Sequence, residues 1–450
     1  MRVGLAARAG IVLALAVTGG AVHGLPGASA NRGGADPLRD EQWALDAIHV
    51  HATRHAGGPD GAGAIVAVVD SGVDATHPDL AGRVIAGPDL VDGDGDPSDP
   101  TGHGTHVAGL IAAGYGNGVG GAGVAPGARI LAVRVLDRDN RGTAANVAAG
   151  VDAAVHRGAH VINLSLNLRP DDTDALAAVR TAMERAADAG VLVVVGAGNN
   201  GQEACEEPVP LLRRHALCVG ALGYDLRLSN FSSHGRGLGL VAPGEDLLST
   251  WPGNGHRNMS GTSQAAALAS GVGAVLAGLG VRGDELARRL VASAREIGPA
   301  ASGRRQHQHG HPGAGLLDAD RAIHGARQRR LFATLRIDAP PIARSADLLR
   351  EGLHVGCDAA RPGRCRARLS VGSTVIAKGS AIVDGTDIFD VLAAPTAAGR
   401  RLLGGGRRLR GVLALTLAGA PDAHRRVTLL PRLHGRHHRS RPSDESRIYR

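Results

Sequence analysis

Between Ala64 and Leu222 the chain repeats one device: a short apolar run, then an Ala-rich stretch with helical spacing. The runs are Ala64–Asp70, Ala128–Asp137, His160–Leu166, Val191–Asn199 and His215–Leu222. Most are apolar at every position rather than at alternate ones, the pattern of strands buried on both faces of a parallel sheet. Helix candidates between them are Thr143–Arg157 and Asp172–Ala189. Strand, helix, strand repetition predicts an α/β fold: a doubly wound, mainly parallel sheet flanked by helices. In that fold, functional side chains sit at the C-terminal ends of strands. Hydrophobic residues make up 43% of the chain but aromatics only 2%, so Val, Leu, Ile and Ala must fill the core.

The length, 450 residues, is too great for one ordinary core. Residues 1–30 read as a signal peptide: Arg2 and Arg8 supply positive charge, Ile11–Val17 an apolar centre, and Ala28-Ser29-Ala30 a small-residue cleavage pattern. The apolar centre is too short for a membrane span, and no later stretch suits one. We therefore expect a secreted, extracellular protein without a stable membrane anchor, with a mature N-terminus near Asn31. A catalytic-type unit is expected over 31–326, closing near Gly313–Ile323. After Arg330 the texture changes to strand-like runs such as Arg364–Val371, Val412–Ala418 and Arg425–Leu430 with Gly-rich turns. Residues 327–432 read as a small all-β, sandwich-like domain, and 433–450 as a disordered basic tail. Four cysteines fit an oxidising compartment. Local pairing of Cys205 with Cys218 and of Cys357 with Cys365 is the simplest of three connectivities, and none of the four has zinc-site spacing with histidines. The net charge is +8, but no basic face interleaved with aromatics is visible, which argues against nucleic-acid binding.

Three short stretches each present one chemically active side chain. "VVDSGVD" ends a buried run with Asp70. "TGHGTHVAGLIAA" opens a helix with His103 between glycines, and "SGTSQAAALASG" opens another with Ser263. Taken alone, Ser263 reads as a helix-start residue satisfying orphan backbone N–H groups. A serine hydroxyl becomes a nucleophile when a base takes its proton, and the base needs an acid to fix its tautomer and stabilise its cation. Asp, His and Ser are thus the minimum kit for acyl transfer.

In order and in flanking sequence these motifs resemble the subtilisin-like serine proteases, the subtilase family (peptidase S8), of secreted bacterial type. Further matches are "HPDL" (His77–Leu80), "GVAPGARILAVRVL" (Gly123–Leu136), "GAGNN" (Gly196–Asn200), "FSSHG" (Phe231–Gly235) and "VAPGEDLLST" (Val241–Thr250). The resemblance spans about Asp36 to Ala326. It implies a serine endopeptidase with Ser263 as nucleophile, His103 as general base and Asp70 as the acid that orients it. Asn199 matches the oxyanion-hole side chain, with the Ser263 backbone N–H as second donor.

The implied substrate is an extended polypeptide, held between Leu164–Ser165–Leu166–Asn167 and the segment from Asp139 to Gly142. The family usually has Gly where Asn167 stands, so no cleavage preference is assigned. No cofactor is required for the chemistry. A structural Ca²⁺ is a candidate ligand of Asp79, Asn117 and Gln42 with nearby loop carbonyls. The acidic run Asp92–Asp99 lacks an EF-hand's closing Glu and reads as a surface turn, and His307–Pro312 as a solvated insertion. After the nucleophile the chain departs from the family, with Gln264 for Met and Ala267 for Pro. We expect a monomer with no long self-cleaved pro-segment. The competing expectation is a catalytically weak or inactive subtilase fold that binds a cell-surface polymer through its β domain. An α/β-hydrolase esterase is disfavoured because Ser263 lies in Gly-Thr-Ser-Gln-Ala, not in a Gly-x-Ser-x-Gly elbow.

Overall fold

The computed structural model describes residues 36–50, 58–166, 173–202, 216–295, 297, 313–328, 336–338, 342–358, 363–383, 388–405, 407–417 and 423–430. The expectations for the signal peptide, Asn31, Asn167, Cys205, His307–Pro312 and the basic tail lie outside these residues.

The first unit begins with α1 (Trp43–Ala47), β1 (Ile65–Asp70), β2 (Val84–Asp89), α2 (His103–Ala112), β3 (Arg129–Arg134) and α3 (Ala144–His156). It continues through β4 (Val161–Leu164), α4 (Thr173–Asp188), β5 (Leu192–Gly196), β6 (Leu217–Leu222) and β7 (Leu240–Pro243). The hairpin β8 (Leu247–Trp251) and β9 (Gly255–Met259) follows, then α5 (Thr262–Gly278), α6 (Asp284–Ser293) and α7 (Ala319–Gln328). Strands β1 to β7 form one sheet in the order β2-β3-β1-β4-β5-β6-β7. All its pairings are parallel. The expected strands and helices are present, slightly shorter at their ends. Thr143 caps α3, its side chain accepting the Asn146 N–H.

The order runs one way from β1 to β3 and β2, and the other way from β4 onward. The reversal between β1 and β4 is a topological switch point, where chain ends splay apart and leave a crevice at the strands' C-terminal edge. Strand interiors such as Val66–Val69 are fully buried, which explains their all-apolar sequence. Helix α5 is mainly Ala, Gly, Val and Leu on every side, and every residue from Thr262 to Ala277 is buried. It continues without a break through Ala267.

The N-terminal segment is tied to the end of this unit by buried charge. Asp318, fully buried, meets His49 Nδ1 and Arg295 Nε, each at 3.0 Å. The Arg295 guanidinium also donates to the Ala47 carbonyl at 2.6 Å.

A second core spans Leu348 to Leu429. Its strands are β10 (Arg336–Asp338), β11 (Ile342–Arg344), β12 (Leu353–Asp358), β13 (Gly363–Val371), β14 (Thr374–Val383), β15 (Ile388–Pro395), β16 (Leu409–Thr416) and β17 (Ala423–Leu430). They form a mainly antiparallel sheet in the order β10-β12-β15-β14-β13-β16-β17-β11. Helices α8 (Ser345–Glu351) and α9 (Ala397–Leu403) add Leu348 and Leu403 to its core. Strand β15 pairs with β12 over Ile388–Ala393 and with β14 at Ala394–Pro395, passing from one half of the sheet to the other. The disulfide Cys357–Cys365 joins β12 to β13 with Cα atoms 6.6 Å apart. In a flat sheet those strands would stand about 14 Å apart, three spacings of about 4.8 Å. The sheet therefore curls around its core, as a sandwich-like unit does. Cys218 is also disulfide-bonded.

Candidate active site

Asp70 is the last residue of β1 and is fully buried. Its Oδ1 accepts the Ser71 N–H and faces His103 Nδ1, both at 2.7 Å. Asp70 Oδ2 is buried and makes no hydrogen bond among the described residues. His103 opens α2, and its side chain is 12% exposed, so one edge of the ring reaches the surface. Two glycines permit this approach. Gly102 has φ +95°, and a Cβ there would land in the Trp251 ring. A Cβ on Gly104 would run into the Gly72 carbonyl, just beyond Asp70.

The start of α2 is held by Asp99, which sequence reasoning placed in a surface turn. Residues 92–96 are indeed exposed, but Asp99 is buried. Its Oδ1 accepts from Ser71 Oγ (2.8 Å), Thr101 N (3.0 Å) and Gly102 N (2.8 Å). Its Oδ2 accepts from Thr105 N (2.8 Å) and Thr105 Oγ1 (2.7 Å). Ser71 Oγ in turn accepts the Gly104 N–H at 3.0 Å. One carboxylate thus joins the residue after Asp70 to the turn that presents His103. It also satisfies orphan N–H groups at a positive helix end. An acid a few residues before a helix start was the available sequence signal.

His106, three residues on from His103, is fully buried. Burial, the largest cause, lowers its pKa to about 3. Its Nε2 faces the carbonyls of Leu247 and Arg257, each at 3.0 Å, so it carries the hydrogen and donates to both. The neutral ring fastens the β8–β9 hairpin to α2. Ser249 Oγ and Thr250 Oγ1 add bonds to the carbonyls of His106 and Thr105.

Ser263 lies in the first turn of α5 and is 7% exposed. Its Oγ donates to the Ser165 carbonyl at 3.4 Å, and Ser165 Oγ donates to the Ser263 carbonyl at 3.2 Å. That single Ser165 hydrogen is shared with Asn163 Oδ1, the nearer acceptor at 2.8 Å. These bonds set the helix start beside the end of β4, next to β1 in the sheet. Asn199 follows β5. Its Oδ1 accepts the Thr262 N–H at 2.9 Å and Thr262 Oγ1 at 3.1 Å. A backbone N–H can only donate, so the oxygen must face Thr262 and the Nδ2 group must point the other way. Gln264, next to Ser263, is fully buried, and neither atom of its amide has a partner among the described residues.

The expected substrate segments flank β1. Leu164 ends β4 on one side, with Ser165 and Leu166 just after it. Asp139 and Gly142 lie in an exposed loop after β3 on the other, shaped by Asp137 Oδ1 accepting from Asp139 N and Arg141 N.

The expected calcium ligands also come together. Asn117 Nδ2 and Gly121 N donate to Asp79 at 2.9 and 3.2 Å. Gln42 clasps Ala122 through its backbone N–H (2.7 Å) and carbonyl (2.9 Å). Asp79 is fully buried, and burial, the largest cause, raises its pKa. His256 stands with Nε2 3.8 Å from this carboxylate, and burial, the largest cause, lowers its pKa, so the ring adds little positive charge. Asp36, which accepts N–H groups from residues 116–118, adds a second buried carboxylate nearby. Oxygen-bearing side chains around under-compensated negative charge suit a hard divalent cation. Among the described residues, no group of three or more His, Cys, Asp or Glu side chains could hold a metal ion. Among the same residues, no helix is long and apolar enough to cross a membrane.

Residues 61–315 match the sequence model of the subtilase family, peptidase S8. A thermophilic serine proteinase of Bacillus sp. (strain AK1) is 44% identical over 232 residues, 52% of this chain and 56% of that protein. Thermitase of Thermoactinomyces vulgaris is 42% identical over 221 residues, 49% of this chain and 77% of that protein. Subtilisin BL of Lederbergia lenta is 39% identical over 234 residues, 52% of this chain and 83% of that protein. The chain thus spans little more than half the length of the first of these relatives.

Proposed function

Since the chain belongs to the subtilase family, we propose that it is a secreted serine endopeptidase acting through Asp70, His103 and Ser263. The observation that carries this reading is the 2.7 Å contact between His103 Nδ1 and the buried Asp70 carboxylate at the sheet's switch point. That contact holds the ring with Nδ1 protonated and Nε2 available as a base. Ser263 Oγ attacks the scissile carbonyl carbon while His103 Nε2 takes its proton. The tetrahedral oxyanion is received by Asn199 Nδ2 and the Ser263 N–H, the latter at the positive end of α5. His103 then protonates the leaving amine, and the C–N bond breaks to leave an acyl-enzyme on Ser263. Water, deprotonated by His103, releases the acid and restores the serine. No cofactor enters these steps.

The substrate is an extended polypeptide pairing its backbone with 164–167 and 139–142. The protein works as a monomer outside the cell. Asp79, Asn117 and Gln42 would hold a structural Ca²⁺, which supplies rigidity and no chemistry. A fluorophosphonate probe should label Ser263, and Ser263→Ala should abolish both labelling and casein hydrolysis. A folded wild-type protein that resists the probe and cleaves nothing overturns the proposal.

A further inference from the structure

Strands β13, β14, β16 and β17 lie outside the residues matched to the family, and β13 places its charge on one face only; on β17, Arg426 pairs with Asp40. On β13, Cys365, Ala367 and Leu369 point into the core while Arg364, Arg366 and Arg368 are exposed. Lys378 lies directly opposite Arg368 on β14, and the exposed Arg410 continues the series on β16. The chain has no other lysine. None of these five cations makes an ion pair among the described residues. Not one Asp or Glu occurs in the four strands. Like charges placed directly across a ladder are destabilising, so folding stability does not explain the arrangement. The Arg-rich composition of the whole chain does not explain it either, because acids are plentiful elsewhere. Along β13 the arginines recur about every 6.7 Å, two residues of about 3.35 Å each.

Two exposed aliphatic residues share this outer face. Ile382, 61% exposed, is directly opposite Arg364, and Val412, 45% exposed, is directly opposite Ser370. The four strands carry no Phe, Trp or Tyr. Stacking recognition of bases or sugar rings therefore has no platform here.

We propose that this face docks the protein onto a linear polyanion whose charged groups are joined by an aliphatic backbone, of the poly(polyol phosphate) kind. Guanidinium groups in a row pair with successive phosphates, and Ile382 and Val412 cover the carbon chain between them. The interaction is independent of the proteolytic chemistry.

The test uses the full chain carrying Ser263→Ala, to prevent self-digestion, and immobilised poly(glycerol phosphate) in 0.1 M salt. Arg366→Glu/Arg368→Glu should weaken binding at least tenfold, and Arg366→Lys/Arg368→Lys should retain it. The slope of log affinity against log salt should shrink by about one for each cation reversed. On the active background, hydrolysis of a soluble peptide should be unchanged by the charge reversal. Equal binding by the reversed variant overturns the proposal. So does tighter wild-type binding to double-stranded DNA or to phosphatidylglycerol vesicles than to the polymer.

Discussion

Asp99→Asn removes one charge and changes almost no volume, which makes it a sharp probe of how His103 is held. At Oδ1, Thr101 N–H and Gly102 N–H can only donate. The amide oxygen must therefore stay on that side, and the new NH₂ group is forced into the place of Oδ2. There it meets the Thr105 N–H across 2.8 Å, donor against donor. Thr105 Oγ1 keeps a lone pair beside the one that accepts the Asp74 N–H at 2.9 Å and can take one amide hydrogen, but the Thr105 N–H stays unpaired. The loss comprises a hydrogen bond to a charged group, about 1.5–3 kcal/mol, and a stranded buried N–H, about 1–3 kcal/mol. We expect a net destabilisation of about 3–5 kcal/mol by urea unfolding on the Ser263→Ala background. Thr105 lies within the first turn of α2, so its release moves the ring of His103. A displacement approaching 1 Å costs on the order of 10²-fold in rate. With Ser263 intact and the variant assayed well below its melting temperature, kcat should fall about 10- to 100-fold with KM little changed. Stability within about 1 kcal/mol of wild type together with kcat within about twofold would refute the reasoning.

His106 is bound to make the fold acid-sensitive. Its folded pKa of about 3 lies below the unfolded value of about 6.5, so the unfolded chain takes up the proton first. The contribution is complete above pH ~6.5 and falls by about 1.4 kcal/mol per unit as pH drops toward 3. The stability difference between wild type and His106→Gln should shrink by about 3 kcal/mol from pH 7 to pH 4, and a pH-independent difference would count against it. Gln264→Leu should raise stability by about 1–3 kcal/mol in thermal or urea melts, because it removes a buried amide without partners. A loss of stability instead would mean that the amide is satisfied by buried water. Saturating Ca²⁺, at about 100 times Kd, should stabilise wild type by about 3 kcal/mol and leave Asp79→Asn unmoved. Identical melts with Ca²⁺ and with chelator would remove the cation from Asp79.

The parallel sheet was legible because its strands are buried on both faces, and a run such as Ile65–Val69 announces that burial in every residue. Asp70, His103 and Ser263 stand out as candidates for a related reason: each lies where an apolar run ends or begins, so its polarity is conspicuous. Strands β2 and β8 were not legible, because Val84–Asp89 includes a glycine and a proline and Leu247–Trp251 mixes polar with apolar residues. Asp99 was hidden by its neighbours. In a run of exposed aspartates, nothing local distinguishes the one that turns inward; the donors it serves come from Ser71 and Thr105, on the strand end and the helix. His106 was hidden in the opposite way, as a second histidine beside a more obvious one. Its role depends on carbonyls of a hairpin some 140 residues later in the chain. A side chain that reacts has to stand out from its surroundings, whereas one that positions another is defined by partners brought together only by folding. Candidate reactive residues are therefore easier to pick out from sequence than the residues that hold them in place.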